Sequence, residues 1–172
     1  MVTTLYELSQ RECEDLLHAG TTARVAYVTP DGPHIIPINY AVIDGSIILR
    51  TSPSSLLGIH GRHARLAIEI DGFDIAREQG WSVVARGVSE VVEDPRLTAA
   101  LEAAWTPRPW VAGHRSLFLK VPVDELSGRR SGTGWSVVGA WVVSQPWFGS
   151  ATRRELGETR DPQLRAPRRP LE

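Results

Sequence analysis

Residues 34 to 57, HIIPINYAVIDGSIILRTSPSSLL, constrain the fold of this chain more than any other stretch. His34 to Val42 is apolar and β-branched, with Pro37 and Asn39 set into it. Asp44-Gly45 follows, and a type I′ hairpin turn needs positive φ at both central positions, which these two residues tolerate best. Ile47, Ile48 and Leu49 then read as a buried strand. The strand runs into Arg50, Thr51, Ser52, Ser54 and Ser55, a gathering of hydroxyls around one guanidinium. Either Ser54 or Ser55 can cap the short helix that follows. A helix start flanked by hydroxyls and an arginine suits a phosphate.

The flanking sequence extends the same pattern. Ser9 with Glu12 forms a capping box, Leu8 is placed to staple against Cys13, and a helix is predicted from about Gln10 to His18, ended by Ala19-Gly20. Strands are predicted near 23–29, 33–43, 46–51, 64–71, 81–93 and 116–123. Asp71 to Asp74 reads as an acidic turn, and the internal Gly87 predicts a bend in the long strand from Trp81. Asp94-Pro95 opens a second longer helix, as N-cap and first helical residue. Antiparallel hairpins with few helices give a mainly β fold, a β-barrel rather than a parallel α/β sheet.

The order and spacing of several pieces resemble the pyridoxamine 5′-phosphate oxidase-like superfamily, in its small actinobacterial flavin branch. They are Pro37-Ile38-Asn39-Tyr40, Asp44-Gly45, Arg50-Thr51, Ser54-Ser55 and Glu69-Ile70-Asp71. Trp81 to Gly87, Pro109-Trp110 and Ser127 to Arg130 complete the set. The resemblance implies an antiparallel, FMN-binding split β-barrel. It implies an oxidoreductase moving hydride between FMN and a small organic acceptor. The alternatives are a reductase using the deazaflavin F420, and a non-catalytic flavin- or haem-binding protein. Carried over by position, Pro37, Ile38 and Asn39 line the flavin ring, and Arg50, Thr51, Ser54 and Ser55 hold ribityl and phosphate. Trp110 is the remaining cofactor-binding candidate. Many relatives place Lys or Arg where this chain has Leu56, so Arg50, or Arg62 and Arg65, would have to supply the charge. No catalytic residue is assigned. The resemblance also implies a homodimer with its sites at the interface, for which Trp110 and Trp135 to Val143 are seam candidates.

Composition narrows the remaining classes. A chain of 172 residues suits one domain with a real core. The formal net charge of −1 supplies no field for nucleic acid or an anionic membrane. The single cysteine, Cys13, forms no intrachain disulfide and reads as a small core residue. His60 and His63 lie three apart but lack a nearby carboxylate, so no metal site is assigned. No apolar run approaches the ~20 residues of a membrane span, and the first ten residues lack a signal-peptide pattern, so the expected location is cytoplasmic. The barrel domain is expected over 1–133. From 134 a possible extra strand precedes a flexible Arg/Pro-rich tail, and residues 151–172 hold six Arg against four acids.

Overall fold

The computed structural model describes residues 5–104 and 115–132. Nine strands form one antiparallel sheet that curls into a split barrel. In chain order they are β1 (Leu5–Glu7), β2 (Thr22–Thr29), β3 (Gly32–Ile43), β4 (Ser46–Thr51), β5 (Arg65–Asp74), β6 (Gln79–Val88), β7 (Glu90–Val91), β8 (Leu117–Pro122) and β9 (Glu125–Ser131). The helices are α1 (Gln10–Ala19), α2 (Leu56–His60) and α3 (Pro95–Ala104). Neighbours in the sheet run β1-β9-β6-β5-β2-β3-β4-β8-β7.

The strands bury alternate residues because side chains change face at every step. Val25, Ile47, Leu49, Leu66, Ile68, Val83, Ala85, Leu119 and Val121 fill the barrel interior. Helix α1 covers part of this core with Cys13, Leu16 and Leu17. Its capping box forms as the sequence predicts, with Ser9 Oγ accepting from Glu12 N–H and the Glu12 carboxylate accepting from Ser9 N–H. Tyr40 is fully buried and its hydroxyl donates to the Leu17 carbonyl at 2.7 Å, tying α1 to β3. Burial drives that phenol well above its ordinary range, so it stays a neutral donor. A smaller cluster of Ile48, Leu101, Phe118 and Val92 seats α3 on the outside of the other half.

Three segments differ from the sequence expectation. The acidic stretch 71–74 continues β5 instead of turning, paired with β6 as far as Asp74↔Gln79. Gly72 leaves that strand face clear for the Trp81 indole, so the hairpin turns later, at 75–78. The strand from Trp81 is two strands, β6 and β7, and the break between them falls at Ser89. Buried Ser89 donates through Oγ to the Gly61 carbonyl and accepts from Ala64 N–H at 3.2 Å. Those bonds turn the chain from β6, in one half, to β7 at the edge of the other. Finally, residues 125–131, where the sequence predicts no strand, form β9 between β6 and β1.

The Ser89 corner makes a prediction. Ser89→Ala leaves a buried carbonyl and a half-buried N–H without their shared partner, so thermal or urea unfolding should register a loss of about 1–3 kcal/mol. A variant as stable as the parent would show that the corner is held by other contacts.

Candidate functional site

Strand β3 changes partner in mid-course. Residues 32–39 pair with β2, and residues 40–43 pair with β4. Pro37 to Asn39 lie on one side of this switch along the chain, and the turn that follows β4 lies on the other. Strand alternation turns Ile38 toward the core, where it packs against the main cluster. Pro37 and Asn39 face outward.

Across from them on β2 stand Arg24 and Thr22, in the registered pairs Arg24↔Pro37 and Thr22↔Asn39. Thr22 Oγ1 donates to Asn39 Oδ1 at 3.3 Å. Arg24 Nη1 donates to both Glu69 Oε2 and Asp71 Oδ2, each at 2.8 Å. Burial pushes the Glu69 carboxyl above its usual range; the Arg24 hydrogen bond opposes that shift and the Asp71 charge adds to it. This polar strip, Asn39–Thr22 and Pro37–Arg24–Glu69, lies on one outer face of the sheet.

The turn on the other side is built by its own hydroxyls. Buried Thr51 shares a 2.9 Å hydrogen bond with Ser55 Oγ. Ser55 Oγ donates to the Ser52 carbonyl at 2.8 Å and accepts from Gly58 N–H at 3.0 Å, so Ser55, not Ser54, is the α2 cap. Ser52 and Ser54 hydroxyls lie 3.0 Å apart, and Ser54 is exposed. Gly58 is required by packing: a Cβ there would sit 2.1 Å from the Ser52 carbonyl oxygen. Helix α2 therefore closes directly onto the turn, and fully buried Leu57 anchors it in the core.

The structure joins Thr51, Ser52, Ser54 and Ser55 in one hydroxyl turn and sets Pro37, Ile38 and Asn39 on β3 just before its change of partner. It places the other charged candidates elsewhere. The Arg50 side chain lies on the α3 side of its strand. There it donates from Nε to the Arg115 carbonyl at 2.7 Å, pairs through Nη2 with Glu102 at 3.3 Å, and stacks 5.2 Å over Phe118. Arg62 Nε bonds the Gly58 carbonyl at 2.6 Å, and Arg65 pairs with Asp124 and Glu125. Leu56 is about half exposed at the turn. Trp110 and Trp135 to Val143 lie outside the described residues. Sequence reasoning missed Arg24 and Thr22. The signal was there in Glu69 and Asp71, two acids two apart on a strand, which share one face and call for a cation opposite.

The pyridoxamine 5′-phosphate oxidase family matches residues 9–130. The chain belongs to that family. An uncharacterised protein of Mycobacterium tuberculosis is 33% identical over 129 residues, covering 72% of this chain and 84% of its own length. Among solved structures, a FAD-binding protein from Mycobacterium smegmatis is 28% identical with a TM-score of 0.57, covering 74% of this chain and 98% of its own. A FAD-binding protein from Mesorhizobium loti shares the fold, at 22% identity and a TM-score of 0.59, over 76% of this chain and 99% of its own. The family's split barrel is the architecture described above. No described helix is long and apolar enough to cross a membrane.

Proposed function

We propose that this protein is a flavin-binding oxidoreductase that moves hydride between FMN and a small organic acceptor. The observation that carries the reading is the hydroxyl-lined turn Thr51–Ser55 at the end of β4 in a chain of this flavin-binding barrel family, with Pro37 and Asn39 on the outer face of the preceding strand. The donor set fits a flavin. Serine hydroxyls and backbone N–H groups suit phosphate and ribityl oxygens, and a strand of exposed proline and amide suits the edge of a flat ring. Pro37, Ile38 and Asn39 would hold the ring, and Thr51, Ser54 and Ser55 the tail. The flavin supplies two-electron chemistry; the chain supplies orientation and exclusion of water.

A flavin ring held only by one barrel remains open to solvent, and beyond the Pro37–Arg24 pair the same outer face becomes apolar toward the 29–32 turn. Val28 and Ile35 are 69% and 67% exposed, next to Pro33 and Ala26 in register. Our reading is a twofold homodimer that buries this face and completes two equivalent sites. A stable monomer in sedimentation at micromolar concentration would contradict it.

Leu56 favours a second cofactor reading, FAD. The phosphomonoester of FMN concentrates nearly two negative charges on one phosphate, whereas the pyrophosphate of FAD spreads its two charges as about one on each of two phosphates. A turn of neutral hydroxyls suits the lower charge per phosphate better, and the M. smegmatis relative is a FAD-binding protein. Titrating FMN and FAD separately into the protein, followed by flavin fluorescence, decides between the two. Under either reading Leu56→Lys should tighten FMN about tenfold or more, because a charge-assisted contact contributes about 1.5–3 kcal/mol. Unchanged FMN affinity in that variant would place the phosphate away from this turn.

A further inference from the structure

Arg24 is held in an unusual way. Both of its ion pairs fall on one nitrogen, Nη1, which meets Glu69 Oε2 and Asp71 Oδ2 at 2.8 Å each. Nε and Nη2 have no partner among the described residues. Those two nitrogens carry the parallel N–H bonds of the guanidinium's side-on fork, which matches two adjacent planar acceptors. The side chain is 53% exposed, while its carboxylate partners are 30% and 22% exposed. Arg24 is therefore pinned from behind and open in front. It stands directly opposite Pro37 on the same outer face.

We propose that Arg24 is a further cofactor-contacting residue, whose Nε/Nη2 fork takes the N1–C2=O edge of the bound flavin ring. This rests on the reading that Pro37 to Asn39 line that ring. N1 and O2 are adjacent, coplanar acceptors, as the fork requires. Negative charge collects at that edge when the ring is reduced, so a cation there favours the reduced form. Glu69 and Asp71 set the strength of the effect. They orient the guanidinium and offset its charge, so Arg24 tunes the flavin rather than only binding it.

The test is a pair of variants with opposite signs. Arg24→Gln should weaken oxidised flavin about tenfold in a fluorescence titration. It should weaken reduced flavin by about tenfold more, which lowers the two-electron midpoint potential by about 30 mV. Glu69→Gln keeps the fork and removes an opposing charge, so its potential should rise. Arg24→Lys keeps the charge and loses the fork: affinity falls while the potential stays near that of the parent. A merely structural role for the ion pairs would not produce shifts of opposite sign. Arg24→Lys and Glu69→Gln keep the test alive if Arg24→Gln fails to fold. Parent protein that binds flavin, with affinity and potential unmoved in Arg24→Gln, overturns the Arg24 assignment alone. So does an Arg24→Gln variant altered only in KM for a carboxylate-bearing acceptor, which would give the fork to substrate. Parent protein that binds no flavin overturns both this assignment and the reading beneath it.

Discussion

Replacing Gly58 with alanine should weaken flavin binding tenfold or more and lower stability by about 1–3 kcal/mol. The added Cβ would lie 2.1 Å from the Ser52 carbonyl oxygen and 3.0 Å from both C and O of Pro53. These are backbone atoms, so no rotamer change can relieve the clash. Helix α2 has to retreat from the turn, or the turn from the helix. Either movement stretches the Ser55 cap, which links Gly58 N–H, Ser55 Oγ and the Ser52 carbonyl. The proposed tail-binding hydroxyls lose their arrangement together with the cap. Ser54→Ala is the comparison: its exposed hydroxyl should cost no more than about 0.5–1.5 kcal/mol of binding and leave the melting curve in place. Melting and flavin titration on the two variants separate damage to the turn from loss of one contact. Normal affinity in Gly58→Ala would mean that the turn is not part of the site.

Gly87→Ala should be the more damaging change to the fold. A Cβ at this position would meet the Pro122 carbonyl oxygen at 1.9 Å, with Pro122 C at 3.1 Å and Val121 Cγ1 at 3.0 Å. Here β6 crosses the end of β8, and the next residues are bound across the same corner by Asp124 N–H to the Arg86 carbonyl at 2.9 Å. The corner joins the two halves of the barrel, and both chains at the contact are backbone. Overpacking of this kind costs about 3 kcal/mol. For a chain of this size that is a fall in Tm of roughly 6–12 °C. A melting temperature within a degree or two of the parent would contradict the closure described here.

Local chemistry made much of this architecture legible. Asp44-Gly45 takes φ of 49° and 69°, as the hairpin turn demands, and β3 and β4 sit within a residue of their expected limits. The α1 cap was written in Ser9 and Glu12. What was not legible depends on partners distant in sequence. The segment ELSGRRS has no apolar alternation to announce a strand, and β9 exists because β6 and β1 pair with it on both sides. Ser89 looks like any strand serine until Gly61 and Ala64 arrive from the loop between α2 and β5. The candidate site shows the same division. Arg50 and Thr51 are neighbours in sequence and read as one anchor. A strand sends their side chains to opposite faces, and Glu102 and the Arg115 carbonyl engage the guanidinium on the α3 side. Arg24 was invisible because its meaning lies in Glu69 and Asp71, 45 and 47 positions away.

A flavin held by Pro37–Asn39 and Thr51–Ser55 must bind this chain saturably. The most direct measurement is equilibrium titration of FMN and of FAD into the purified, cofactor-stripped chain, read by quenching of flavin fluorescence and by the visible absorption bands. The account predicts saturable binding of one flavin per chain, with a perturbed visible spectrum, that Gly58→Ala weakens tenfold or more. A flat titration with both flavins, from a protein that melts cooperatively, would contradict it.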